Sequence, residues 1–306
     1  MILAQAADAG LSWNLARDVR QMFAYPFMVN AFRAGTVVAV TAGAIGWFMV
    51  LRRQAFAGHT LAVAGFPGAA GAIWLGVGAT YGYFTFCIAA ALVIAAFPAA
   101  GGATAGRAEE SAVVGTVQAF VLACGFLFVS LYQGFLGGVN ALLFGSFLGI
   151  TDRMVLTLAA VGLAVLVVVG IIGRPLLFAS LDPAVAAAAG VPVRGLSTAF
   201  LILLGAAAAE VSQITGTLLV FTLLVIPAAT AQVLTARPAL SLGLTVLLAV
   251  AVTWAGLTVA YYSPYPIGFF ITSFSFGIYL LARLTVGARD VLGRAARAPR
   301  SAGAAA

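Results

Sequence analysis

Leu51-Arg52-Arg53-Gln54-Ala55-Phe56-Ala57-Gly58-His59-Thr60-Leu61-Ala62-Val63-Ala64-Gly65-Phe66-Pro67-Gly68 joins two apolar runs, and its polar residues decide how the chain is read. A pair of guanidinium groups is too costly to leave in hydrocarbon, so Arg52 and Arg53 mark a membrane surface. The run before them ends there. The run after them carries the only histidine, His59, back into the apolar phase one to two helical turns later.

The same alternation extends in both directions. Of 306 residues 63% are hydrophobic and 8% charged, with mean hydropathy +1.14, which leaves too little polar surface for a body dissolved in water. Apolar runs occupy residues 27–51, 55–79, 81–97, 112–131, 154–172, 196–211, 214–234, 239–262 and 267–284. Each is close to the roughly 20 residues that cross ~30 Å of hydrocarbon as a helix. The pattern predicts an all-α fold, a polytopic transmembrane helical bundle of about eight or nine spans in the plasma membrane. Residues 1–26 read as an amphipathic leader, 27–286 as the transmembrane domain, and 287–306 as a disordered basic tail short of apolar residues. Residues 99–111 read as a polar connecting turn. The glycine-broken stretch 132–152 reads as a short helix or a re-entrant element lined by protein.

The net charge of +7 is spread over run ends instead of being gathered with aromatic residues, so it is a topology signal and not a nucleic-acid surface. With the Arg52 end cytoplasmic, alternation places Arg107, Arg174, Arg194, Arg237 and Arg283 on the same side. All 15 basic residues are arginine. Without lysine there is no Walker-A loop and no Schiff-base chemistry, so any ATP that drives this chain is bound by another. One histidine cannot make a His-Glu-x-x-His zinc helix, and the acids within the runs are too few for a paired-carboxylate enzyme. Cys87 and Cys124 lie inside apolar runs, as small hydrophobes do, and no covalent cofactor is expected.

Three local features carry chemistry. Between Ser180 and Val193, Asp182 reads as an N-cap, Pro183 as the first helical residue, Gly190 as the stop, and Pro192 as a bar to continuation. A brief capped helix between two spans, on the arginine-rich side, is an exposed knob. Pro227, inside an apolar run, removes a backbone donor and should kink its helix. Glu210 is the one acid well inside a run, with Gln213 a turn away. At mid-bilayer a charged side chain costs about 3 kcal/mol, so Glu210 should be protonated, paired or facing a wet cavity.

These stretches resemble the permease subunits of ABC importers for zinc, manganese and iron. Leu51 to Gly68 is similar to a family segment reading Leu-Arg-Arg, then Gly-Asp-Ala-Leu-Ser-His-Ala, then Pro-Gly. Here His59 stands at the Asp position, Ala62 at the Ser and Val63 at the His. Asp182, Pro183, Ala187, Gly190, Pro192 and Val193 match the segment that resembles the family's coupling helix, which docks on the ATPase. Gln213, Gly216, Leu218, Leu219 and Leu224 to Ala231 match a third motif, ending Pro-Ala-Ala-Thr-Ala. The resemblance runs from about Phe27 to Arg283. It implies an ABC importer permease fold, a homodimer around a central path for a divalent metal, and separate ATP-binding chains below. It also implies an extracytoplasmic metal-binding protein above and a metal-pathway role for His59; Glu210, as the one acid inside a run, and its neighbour Gln213 are the further candidates for that path. A reading from a different class is an ion-coupled secondary carrier with Glu210 as the proton or cation site.

Overall fold

The computed structural model describes residues 15–97, 105–131, 142–145, 149–217 and 219–297, and among these it is built of helices alone. In chain order they are α1 (Leu15–Phe23), α2 (Pro26–Leu51), α3 (Ala55–Trp74), α4 (Ala79–Ala96), α5 (Ala105–Leu131), α6 (Asp152–Leu181), α7 (Pro183–Ala188), α8 (Val193–Thr215), α9 (Val220–Leu234), α10 (Pro238–Tyr261) and α11 (Ile267–Arg297). Eight of the described helices, all but α1, α7 and α9, are long and apolar enough to cross a membrane.

The start and stop residues explain most boundaries. Pro26 and Pro238 open α2 and α10, where a missing N–H costs nothing. The Thr151 hydroxyl caps α6 by accepting from the Met154 N–H at 3.3 Å. At the end of α2 the N–H of Arg53 reaches the Val50 carbonyl and that of Gln54 the Met49 carbonyl, a Schellman closure. Its left-handed position is held by Arg53, with φ 58°, where glycine is usual. That conformation costs a side-chain-bearing residue roughly 1 to 2 kcal/mol.

Helices α2 and α8 form the interior. Helix α2 packs against α6, α8, α9 and α10, and α8 also touches α3 and α4. Helices α5 and α6 lie outside, with few of their residues fully buried, as lipid-facing helices should be. Small residues let backbones meet. Gly68 of α3 and Gly82 of α4 lie carbonyl against Cα, and Gly46 of α2 does the same against Leu224 of α9.

Several boundaries differ from those expected. The run 214–234 is not one crossing. Helix α8 continues to Thr215, Gly216 turns the chain with φ 73°, and α9 begins only at Val220. Its 15 residues span about 22 Å, less than the hydrocarbon thickness. Helix α6 runs on past Arg174 and through Pro175 to Leu181, because the carbonyl a proline blocks lies one turn back and the rest of the helix can continue. Its 30 residues reach about 45 Å, half as long again as a ~30 Å hydrocarbon layer. The tail expected from residue 287 begins as an extension of α11 to Arg297, since alanine and arginine are strong helix formers. The turn expected at 99–111 is in α5 from Ala105 onward, while 98–104 lie outside the described residues. Of the leader, the described part is α1. It lies against the bundle through Met22, and the Tyr262 hydroxyl donates to the Asp18 carbonyl at 2.9 Å. Of 132–152, residues 132–141 and 146–148 lie outside the described residues. The Leu142 carbonyl accepts from the Thr217 N–H at 3.3 Å, which fixes that segment on the α8–α9 turn.

Candidate functional site

The arginine-rich end of the bundle carries the knob that the sequence announces. The Asp182 carboxylate accepts from the N–H groups of Ala184 and Val185 at 3.1 and 3.0 Å, and Pro183 is the first residue of α7. At the other end the Gly190 N–H bonds the Ala187 carbonyl and the Val191 N–H the Ala186 carbonyl. This is a Schellman closure, with Gly190 at φ 82°. Six residues cannot hold a helix by themselves, so these two caps define it. Ala186 faces inward, while Pro183, Val185, Ala187 and Gly190 are exposed.

The knob is tied down by a residue that sequence reading takes only as a surface marker. The Arg52 guanidinium donates from Nη1 to Ser180 Oγ at 3.2 Å and from Nη2 to Ser197 Oγ at 2.7 Å. Ser180 lies in the last turn of α6 and Ser197 in the first turns of α8, so Arg52 grips both flanks of α7. Its Nε donates to Gln54 Oε1 at 3.2 Å, and the Gln54 amide donates to Glu110 Oε1 at 3.3 Å, which adds α5 to the network. The guanidinium carbon also lies 5.4 Å above the Phe200 ring. Burial lowers the pKa of Arg52 from its ordinary value, and the nearby Glu110 charge opposes that shift. The adjacent arginines are the available signal in the sequence, but the serines that receive Arg52 are 128 and 145 residues away along the chain.

The three proposed pathway residues are not assembled in one place. His59 lies early in α3, its ring edge on Phe221 of α9 with centroids 5.1 Å apart, and its Nδ1 is buried without a hydrogen-bond partner. Glu210 is fully buried between α2, α6 and α8. Its Oε1 accepts from the Thr41 hydroxyl at 3.3 Å, and its Oε2 is buried and unbonded. A Cβ on Gly162 would come within 2.9 Å of Glu210 Oε1, so α6 closes that pocket with a glycine. Gln213, one turn on, points instead to α4 and accepts from the Thr80 hydroxyl at 3.0 Å. Among the described residues no three His, Cys, Asp or Glu side chains are grouped to hold a metal ion. Pro227 is buried inside α9, three residues past the Leu224 carbonyl that meets Gly46.

Known proteins share this architecture. The profile of the ABC 3 transport family matches residues 24–286. The manganese transport system membrane protein MntC of Halalkalibacterium halodurans is 28% identical over 244 residues, 80% of this chain and 82% of that protein. The chelated iron transport system membrane protein YfeC of Yersinia pestis is 30% identical over 217 residues, 71% of this chain and 72% of that one. The solved structure of PsaBC from Streptococcus pneumoniae in complex with Fab covers 88% of this chain and 95% of its own, with TM-score 0.76 and 25% identity. The family match begins just before α2 and ends within α11, so it holds seven of the eight helices long enough to cross a membrane whole and most of the eighth: the chain belongs to the ABC 3 transport family.

Proposed function

We propose that this chain is the permease subunit of an importer for divalent metal ions, of the manganese, iron or zinc kind, driven by ATP hydrolysed on a separate chain. In this reading two copies pair around the path, an extracytoplasmic metal-binding protein delivers the ion, and the ATPase docks on α7. The observation that carries it is α7 itself. It is a short helix with both ends capped, held on both flanks by Arg52, and it presents small exposed residues at the arginine-rich end. The names of the relatives, which speak of manganese and chelated iron transport, support the class of cargo.

The chain itself carries no lysine to place on a nucleotide's phosphates. Reconstituted alone in vesicles it is therefore expected to move no manganese, and uptake should appear only when the ATPase chain and ATP are added. Uptake by the chain alone would point to the secondary carrier with Glu210 as its ion site.

His59 is the proposed pathway ligand. A buried ring nitrogen with no hydrogen-bond partner is open to a cation in the tautomer that leaves it unprotonated, and imidazole suits borderline divalent metals. A single nitrogen holds an ion weakly, which permits release during transit. His59→Ala is expected to lower manganese uptake by about tenfold at unchanged protein level, the order expected for one lost ligand contact worth ~1.4 kcal/mol. Unchanged uptake across manganese, zinc and iron would reduce His59 to a packing residue against Phe221. Glu210 and Gln213, which face other helices, are proposed to shape the bundle around the path.

A further inference from the structure

We infer that the cavity beside Arg52 binds the headgroup of an anionic phospholipid, with an acyl chain lying in the groove between α4 and α5. The cavity, of about 680 Å³, is lined by Arg52 and Arg194, by the hydroxyls of Ser180, Ser197 and Thr198, and by Glu110. Every hydrogen-bond partner of Arg52 is neutral. Glu110 is engaged by the Gln54 amide, so two arginines face one carboxylate and the wall has a net charge of one positive unit. A phosphodiester carries one negative charge. Arg194 is the second residue of α8, where the helix dipole disfavours a cation unless an anion accompanies it.

Phe97 lines this cavity and also a second one of about 690 Å³. The second is apolar over nearly all its wall, with Phe86, Val93, Val117 and Phe120 among its lining residues, and Glu109 and Thr116 as the polar exceptions. Helices α4 and α5 meet sparingly, and the groove is the space they leave. From Phe97 back to Phe86 is 11 residues of helix, about 16 Å, which is close to half of a ~30 Å hydrocarbon layer and so to one leaflet. A cationic pocket that shares its Phe97 wall with an apolar groove one leaflet deep matches the charge and the two-part shape of one lipid molecule. A soluble partner could fill the pocket but could not follow the groove between two spans. The inference requires only that the chain lies in a bilayer and is independent of the cargo.

The test uses the full chain in nanodiscs of equal parts phosphatidylglycerol and phosphatidylcholine, extracted in mild detergent and weighed by native mass spectrometry. The wild type is expected to retain phosphatidylglycerol over phosphatidylcholine, and Arg194→Gln to cut that preference about fivefold, as one interfacial arginine should. Val93→Trp, at an exposed position in the groove, should reduce retention of both lipids. Removing Arg194 relieves the helix dipole, so that variant is expected to fold. No preference in the wild type, or a preference unchanged by both substitutions, would overturn the proposal. Displacement of the lipid by millimolar inorganic phosphate would make this a small-anion pocket. Loss of an associated protein from Arg194→Gln with lipid retention intact would make it a protein-docking surface. Either result would also overturn the proposal.

Discussion

Gly82→Leu is expected to prevent α3 and α4 from packing and to remove most of the folded protein. A Cβ on Gly82 would overlap the carbonyl oxygen of Gly68 and stand 2.7 Å from the Ala72 Cβ, and a Cβ on Gly68 would overlap the Gly82 carbonyl. Both obstacles are held by helical backbone and cannot move aside as a flexible side chain does. The helices must separate, and every contact along α3 and α4, one of the most extensive interfaces in the bundle, weakens together. Overpacking a core side chain costs about 1 to 3 kcal/mol, and a backbone collision should exceed about 3 kcal/mol. Gly170 is the matched control, since nothing lies within 4 Å of a Cβ there. Thermal unfolding of the purified variants in detergent reads the difference. A midpoint for Gly82→Leu equal to that of Gly170→Leu would show that the close approach is not part of the folded protein.

The double substitution Asp182→Leu with Gly190→Leu is expected to abolish co-purification with the ATPase chain and ATP-driven uptake, with the permease still folded. Loss of the Asp182 cap costs about 1 kcal/mol. A leucine at φ 82° adds roughly 1 to 2 kcal/mol. With both caps gone, a helix of six residues keeps only the burial of Ala186 and the Arg52 grip on its flanks, too little to hold its shape. The neighbouring α6 and α8 are anchored elsewhere, by Thr151 at the start of α6 and by the burial of α8 in the bundle. Retained assembly after this change would refute the docking role of α7, and a lowered melting point of the permease alone would show that α7 serves the fold instead.

The spans and the knob are legible in the sequence because their causes are local. Hydropathy over about twenty residues reports a crossing, and Asp182, Pro183 and Gly190 each act on backbone within a few residues. Where the cause is distant the sequence misleads. Gly216 is a helix stop placed directly after Thr215, but the apolar run 214–234 outweighs one glycine and invites a single crossing; the turn is seated by packing against the 142–145 segment. His59, Glu210 and Gln213 fall into one group in the sequence because they are polar residues of apolar runs. Helix rotation sends Glu210 toward Thr41, Gln213 toward Thr80 and His59 toward Phe221. Arg52 is conspicuous in the sequence for its charge, whereas its place in the protein depends on two serines brought to it by the fold.

Gly162, 10 residues into α6, faces Thr41 and Glu210, and a methyl group there would stand 2.7 Å from the Thr41 hydroxyl and 2.9 Å from the Glu210 carboxylate. Any residue with a side chain at 162 must therefore lift α6 off the bundle or push the buried acid out of its place, so the tolerance of this one position to substitution reports how tightly the outer helix is seated.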